Sequence, residues 1–181
     1  SVMAEIVKCG FIADPTILEL IEAAPETVTD ATSSIGAELI AKGSAVKVNA
    51  VAWDLHETAT HEVIGREALN YGHTFGHAVE RFEGYRIRHG EAISIGMVYV
   101  AEIAHRTGRI DGELLARHRS ILETLALPTT YRPGIWEALS ATMRLDKKTR
   151  GDQLRFVVLD GLAKPVILPG PDDALIIDAY R

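Results

Sequence analysis

Three of the chain's histidines fall within one short window, at positions 73, 77 and 89. His73 and His77 are four residues apart, so on a helix their side chains would share one face, with Cβ atoms about 5–6 Å apart. Two imidazoles at that distance can bind one metal ion, or one can bind while the other transfers protons. His89 precedes a second predicted helix, and a tight turn after Gly84 would bring it back toward the first.

A catalytic zinc ion usually has three imidazole or carboxylate ligands and an open position for water or a substrate oxygen. Two histidines would therefore need a carboxylate partner. Spacing leaves that partner open among several acidic residues: Glu5, Glu57, Glu62, Glu80 and Glu91. The competing interpretation is that the histidines only form hydrogen bonds with their neighbours, as we expect for His105 and His118.

A group of cations lies beside apolar helical patterns or glycine-containing turns: Lys8, Lys47, Arg66, Lys147 and Lys148. Near a metal ion, such side chains are suited to bind phosphate or carboxylate groups of a substrate. Asn70, one helical turn before His73, could add a neutral donor. The alternative is that each cation is an ordinary solvated side chain.

The composition restricts the partners of such a site. The 181 residues include 19 basic and 25 acidic ones, giving a net charge of -6, so we expect neither nucleic acid nor an anionic membrane as a partner. The sequence shows no apolar run of about 18 residues and no signal peptide, which favours the cytoplasm. A single cysteine, Cys9, excludes an internal disulfide and is expected in the core.

The elements that must position these residues are mainly helical. Apolar periodicity predicts one helical domain over residues 1–181, with helices at 35–53, 66–82, 91–106, 111–126 and 134–145 and shorter ones after Asp14 and near 173–180. The helix at 91–106 is apolar around its circumference and should be central and buried. The stretch 54–65 lacks a period and predicts a loop.

A β-hairpin is predicted near the C-terminus, with strands over 154–159 and 162–168 joined at Asp160 and Gly161. Pro165 favours an edge position for the second strand. The chain enters amphipathic structure directly at Ser1, without an initiating Met, so we expect a fragment of a longer polypeptide.

Four segments, in this order, carry a family resemblance: Ala4–Lys8, Leu69–Glu80, His89–Ala92 and Asp146–Lys148. Together they resemble the signature motifs of the 3-dehydroquinate synthase family, and they match only its mostly helical C-terminal domain. The resemblance implies that an N-terminal NAD-binding domain, absent from this chain, would precede Ser1.

The resemblance also implies roles for individual residues. A zinc or cobalt ion would be held by Glu5, His73 and His89, which leaves His77 for proton transfer. The implied substrate-binding residues are Lys8, Lys47, Arg66, Asn70 and His77, with Lys147 or Lys148. Glu57 would be an acidic catalytic residue of the same site. The segment between Glu57 and Arg66 is longer than the family pattern, so Glu62 is an alternative to Glu57.

The implied activity is that of a lyase of the shikimate pathway of aromatic amino-acid biosynthesis. A metal- and NAD-dependent cytoplasmic homodimer would convert the sugar phosphate 3-deoxy-D-arabino-heptulosonate 7-phosphate to 3-dehydroquinate and phosphate, and this chain alone would be inactive. The alternatives are a related sugar phosphate cyclase, such as aminodehydroquinate synthase or 2-deoxy-scyllo-inosose synthase, a metal-dependent alcohol dehydrogenase-like domain, or a helical binding domain without catalysis.

Overall fold

The computed structural model describes residues 2–56, 65–148 and 153–181, and within the first two ranges it describes side chains as far as residues 52 and 145. These residues form helices and one antiparallel pair of strands, in this order: α1 Val2–Ile12, α2 Thr16–Ala23, α3 Ser34–His56, a 3-10 helix Gly65–Asn70, α4 His73–Phe82, α5 His89–Arg106, α6 Gly112–Thr124, α7 Trp136–Lys148, β1 Arg155–Leu159, β2 Pro165–Pro169 and α8 Asp173–Tyr180. The predicted fold class, mainly helical with a hairpin near the C-terminus, is confirmed. Among the described helices, none combines the length and apolar character needed to span a membrane.

Helix α5 lies at the centre of the core. Its residues from Ala92 to Ala101 are all buried, and it packs against α1, α4, α6, α8 and β1. Burial on every side requires apolar or small residues around the whole helix, as the sequence predicts for 91–106. The central position matters for the site because α1 and α4 are both held against α5.

Helix α1 packs between α3, α2 and α5. Cys9 is fully buried in this contact, as expected, and burial raises the pKa of its thiol. Gly43 of α3 allows the close approach, since a Cβ atom there would lie 3.2 Å from Ile6 Cγ1. The side of α1 that carries Glu5 and Lys8 is thereby fixed relative to α3.

The prediction of one helix from Arg66 to Phe82 is wrong. A 3-10 helix ends at Asn70, and α4 begins at His73 after a turn in which Gly72 has φ +78°. A Cβ atom at Gly72 would lie 2.7 Å from the backbone nitrogen of Met97, so the turn fits tightly against α5. This contact is distant in sequence and leaves no trace in the local period.

Two smaller boundaries also differ from the prediction. α3 continues through His56, so the start of the predicted loop at 54–65 is helical, while residues 57–64, with Glu57, His61 and Glu62, lie outside the described part of the chain. His89 is the first residue of α5 rather than the residue before it.

The hairpin forms, but its connection is longer than the predicted turn at Asp160 and Gly161. β1 and β2 pair from Arg155 with Pro169 to Leu159 with Pro165. The connecting turn is closed by hydrogen bonds from the Asp160 amide to the Lys164 carbonyl and from the Lys164 amide to the Gly161 carbonyl. Pro165 therefore lies at the start of β2, an edge strand of this two-stranded sheet, as predicted.

Candidate metal and substrate site

Three helices bring one carboxylate and two imidazoles together. Glu5 projects from α1, His73 is the first residue of α4 and His89 is the first residue of α5. Glu5 Oε1 lies 3.7 Å from His73 Nε2 and 3.7 Å from His89 Nε2. Ligand atoms about 2.0–2.2 Å from a tetrahedral zinc ion are roughly 3.4 Å apart, so a small adjustment would allow all three to bind one ion.

The two oxygens of Glu5 have different surroundings. Oε2 accepts a hydrogen bond from Lys8 Nζ at 2.9 Å and lies 3.2 Å from Lys47 Nζ. Oε1 is buried and has no hydrogen-bond partner among the described residues. A buried carboxylate oxygen without a partner is costly. Its position between two imidazole nitrogens fits a divalent cation.

Both imidazoles are oriented by their second nitrogen. His73 Nδ1 lies 3.2 Å from the Tyr71 carbonyl oxygen, and His89 Nδ1 lies 2.9 Å from Glu80 Oε1. Because both partners are acceptors when Glu80 is ionised, each Nδ1 carries the hydrogen and each neutral ring has its lone pair on Nε2. Metal-binding histidines typically have this arrangement.

A second group of possible ligands consists of His77, Glu80 and His89. His77 Nε2 is 4.0 Å from Glu80 Oε2, and its side chain is 59% exposed. His89 Nδ1 already donates to Glu80, so it is not available as a ligand without losing that bond. The geometry therefore favours the first group, in which Glu80 orients a ligand rather than binding the ion.

The charges around Glu5 favour the ionised form of its carboxylate. Burial alone would raise the pKa of Glu5, but the hydrogen-bonded Lys8 ammonium, with His73 and Lys47, outweighs burial and lowers it. Burial is also the main cause of the lowered pKa of Lys8, partly offset by Glu5. Burial and then Lys8 lower the pKa of His73 to about 4. His73 is thus neutral at pH 7, the form that can bind a metal ion.

A cavity of about 530 Å³ adjoins this group. Its lining includes Asn70, His73 and His77 from the predicted site. Lys47 and Arg66 are exposed, with Lys47 beside Glu5 and Arg66 on the 3-10 helix that leads into Tyr71. The structure thus groups Glu5, Lys8, Lys47, His73 and His89 by direct contact, and Asn70 and His77 by the shared cavity.

The remaining predicted residues lie outside the described side chains or have another role. Glu57 and its alternative Glu62 lie outside the described residues, and Lys147 and Lys148 end α7 without described side chains. Glu91, an open carboxylate candidate from spacing, instead accepts a hydrogen bond from the Arg88 amide at 3.2 Å and caps α5.

Some residues of the region carried no sequence signal. The cavity is also lined by Arg81 and Arg155, and Arg155 forms an ion pair with Glu67 at its edge. Tyr71, whose carbonyl orients His73, belongs to the motif Leu69–Glu80, but the motif predicts no role for it. Arg155 comes from β1, far from the histidine window in sequence, so only the folded chain shows its proximity.

The chain is similar throughout to one group of proteins. The family model for the C-terminal part of 3-dehydroquinate synthase matches residues 2–149. The 3-dehydroquinate synthase of Thermobifida fusca is 56% identical over 179 residues, covering 99% of this chain and 47% of that protein. The protein of the same name from an Arthrobacter species is 54% identical, with 99% and 48% covered. The chain therefore spans about half the length of the curated relatives that it matches.

Solved structures with the same fold include two synthases. A 2-epi-5-epi-valiolone synthase from Streptomyces hygroscopicus, solved with NAD⁺ and Zn²⁺ bound, matches with a TM-score of 0.83 at 20% identity, covering 98% of this chain and 48% of that one. A 2-deoxy-scyllo-inosose synthase complexed with carbaglucose-6-phosphate, NAD⁺ and Co²⁺ matches with a TM-score of 0.69 at 24% identity, covering 99% and 49%.

Proposed function

This chain belongs to the 3-dehydroquinate synthase family, and from that premise we propose that it is the metal- and substrate-binding half of a 3-dehydroquinate synthase. The whole enzyme would convert 3-deoxy-D-arabino-heptulosonate 7-phosphate to 3-dehydroquinate and phosphate, with NAD bound mainly by a separate domain. The observation that carries the proposal is the buried Glu5 Oε1, without a hydrogen-bond partner among the described residues and equidistant from two imidazole Nε2 atoms.

The metal ligands would be Glu5, His73 and His89. A Zn²⁺ or Co²⁺ ion at this place would supply Lewis acidity toward a hydroxyl or carbonyl oxygen of the substrate. Lys8 holds the Glu5 carboxylate in its ionised form and, because it is buried, keeps that carboxylate in one position. These contacts support the ligand assignment that the family motifs imply.

The remaining residues would bind and orient the substrate. Lys47 is exposed beside Glu5 and can approach a phosphate or carboxylate group. Asn70 and His77 share the cavity with His73, so they can donate to hydroxyl groups or, for His77, exchange a proton with a reacting oxygen. Arg66, with Lys147 or Lys148 and Glu57, completes the proposed set on the strength of the family motifs.

Related sugar phosphate cyclases are the second candidate, favoured by the fold match to the 2-epi-5-epi-valiolone and 2-deoxy-scyllo-inosose synthases. Identity to those proteins is 20% and 24%, against 56% for a 3-dehydroquinate synthase. The higher identity supports 3-dehydroquinate synthase as the activity.

Phosphate release separates these candidates. The whole enzyme containing this chain, supplied with NAD and Zn²⁺, should release phosphate from 3-deoxy-D-arabino-heptulosonate 7-phosphate far faster than from glucose 6-phosphate, the sugar phosphate that carbaglucose-6-phosphate resembles. A preference for glucose 6-phosphate would contradict the proposal. We expect the 181-residue chain alone to release none, because its proposed role includes no hydride acceptor.

Metal content tests the site independently of turnover. The chain should bind about one equivalent of Zn²⁺, and His89→Ala should lose it. His105→Ala is the matched control, since His105 is an exposed histidine of the same helix. Equal zinc content in the two variants would remove His89 from the site.

A cytoplasmic homodimer belongs to the same proposal, and sedimentation of the whole enzyme would check the dimer.

A further inference from the structure

A buried tyrosine and histidine form a polar pair next to the segments that carry Glu5 and His73. Tyr71 and His118 are both fully buried. The Tyr71 hydroxyl lies 2.9 Å from His118 Nε2, and His118 Nδ1 lies 2.8 Å from the Leu114 carbonyl oxygen. A carbonyl only accepts, so His118 Nδ1 donates and its Nε2 accepts from the tyrosine hydroxyl. Each polar atom of the pair is satisfied in this one arrangement.

The pair touches two of the three segments that carry candidate metal ligands. The His118 ring stacks on Phe11 of α1 with 3.7 Å between centroids and 7° between planes. α1 also carries Glu5. On the other side, Tyr71 is two residues before His73, and its carbonyl oxygen accepts the hydrogen of His73 Nδ1. His118, on α6, thus contacts the α1 segment and the turn that begins α4.

The turn at Gly72 helps to fix the direction in which the Tyr71 carbonyl points. Gly72 is held against the backbone of Gly96 and Met97 of α5, so the peptide group between Tyr71 and Gly72 has little room to rotate. The Tyr71 side chain anchors the other end of that peptide to α6. The carbonyl direction, and with it the imidazole that bonds to it, is set from both ends.

We propose that Tyr71 and His118 are positioning residues that hold His73 in the tautomer with hydrogen on Nδ1, so that its Nε2 lone pair points to Glu5. The proposal rests on the proposed metal site for its functional meaning, but the tautomer itself is a property of the metal-free chain. Neither residue touches the candidate ligands through its own side-chain polar atoms. Their effect passes through one backbone carbonyl.

The test compares two buried tyrosines. Tyr71→Phe removes the hydroxyl that donates to His118, and Tyr99→Phe removes a hydroxyl that donates to the Ile176 carbonyl at 2.9 Å instead. Long-range ¹H–¹⁵N correlation spectra of the metal-free chain report the tautomer of His73. We expect hydrogen on Nδ1 in the wild type and in Tyr99→Phe, and a mixture of tautomers in Tyr71→Phe.

Metal affinity gives the second readout. Co²⁺ titration, followed by visible absorption, should show binding about tenfold weaker in Tyr71→Phe and unchanged in Tyr99→Phe, the size of effect typical of groups that orient metal ligands. His118→Leu should behave like Tyr71→Phe. His118→Gln, which keeps an acceptor for the hydroxyl, should lie closer to the wild type. If Tyr71→Phe does not fold, the comparison of His118→Leu with His118→Gln tests the positioning role instead.

The outcomes distinguish this inference from the proposed function. Equal His73 tautomers in Tyr71→Phe and Tyr99→Phe, or hydrogen on Nε2 of His73 in the wild type, would overturn the inference even if Co²⁺ binds. Failure of the wild-type chain to bind Co²⁺ would overturn the proposed metal site, while the tautomer comparison would still decide whether the pair positions His73.

Discussion

The carboxylates near the histidines have separate tasks that their residue type does not reveal. Glu5 has one oxygen bound to cations and one facing two imidazoles, whereas Glu80 lies on the opposite nitrogen of His89. Glu91 is engaged by backbone at the start of α5. The same functional group is thus a candidate ligand, an orienting acceptor or a helix cap, depending on which atoms surround it.

Replacing Glu80 tests the orienting task. Glu80→Ala should weaken Zn²⁺ binding by about 10–100-fold, because His89 would lose the acceptor that fixes its ring. Glu80→Gln retains an acceptor and should lose less. Competition with a chromophoric chelator measures these affinities. Glu83→Ala is the control, since Glu83 follows α4 and pairs with Arg132 instead. Equal affinities for Glu80→Ala and Glu83→Ala would show that Glu80 does not orient a ligand.

The burial of His118 predicts how the free energy of unfolding depends on pH. Burial, the main cause, lowers its pKa to about 4 in the folded chain, against about 6.5 when unfolded. The unfolded chain therefore binds the proton more readily between these values. The stability from neutral His118 is complete above pH 6.5 and is lost as pH falls toward 4, a change on the order of 3 kcal/mol.

Urea unfolding at a series of pH values measures this loss. His118→Gln should flatten the decline between pH 6.5 and 4, whereas His105→Gln, at an exposed position of α5, should leave it as in the wild type. An unchanged decline in His118→Gln would assign the acid sensitivity to other groups.

At the scale of elements, the helices follow from local patterns but their interruptions do not. Apolar periodicity correctly predicts a buried helix over 91–106 and places α3 and α6 to within a few residues. It fails at Tyr71 and Gly72, where continued helix is replaced by a turn. A glycine within an apolar period is compatible with helix, and only the contact with Gly96 shows why the chain must turn there.

Two glycines with positive φ offer a matched test of that contact. Gly72 has φ +78° and Gly84 has φ +60°, but a Cβ atom would lie 2.7 Å from Met97 N at Gly72 and would meet nothing within 4 Å at Gly84. Gly84→Ala should lower the free energy of unfolding by about 1–2 kcal/mol through backbone strain alone. Gly72→Ala should lower it by roughly 3 kcal/mol or more, because overpacking adds to strain. Similar values from chemical denaturation would mean that the Gly72 contact relaxes freely.

For the whole molecule, the site joins helices that are separate in sequence. Glu5 on α1, His73 on α4 and His89 on α5 meet only when α1 and α4 both pack against α5. A metal ion bound to all three would act as a link among these helices. It should therefore stabilise the folded chain by mass action.

Thermal unfolding can show this link. Free Zn²⁺ at about 100 times the Kd should stabilise the chain by about 2.7 kcal/mol, which raises Tm by roughly 5–10 °C for a chain of this size. Glu5→Ala should abolish the rise and Glu91→Ala should retain it, each compared with its own metal-free Tm. A chelator should reverse the rise. A Zn²⁺-dependent rise that persists in Glu5→Ala would place the stabilising ion elsewhere.

The sequence by itself determined the class of fold and the approximate positions of the helices. Through four motifs it also determined the family and the candidate site residues. Those features depend on local periodicity and on short residue patterns, which involve residues that are close together in the sequence. The tertiary structure decided which oxygen of Glu5 faces the imidazoles, that Glu80 and the Tyr71 carbonyl fix the two rings, and that His118 bonds to the Tyr71 hydroxyl. These facts depend on the packing of α1, α4, α5 and α6, because a distance of a few ångströms between side chains far apart in sequence is set by the whole core.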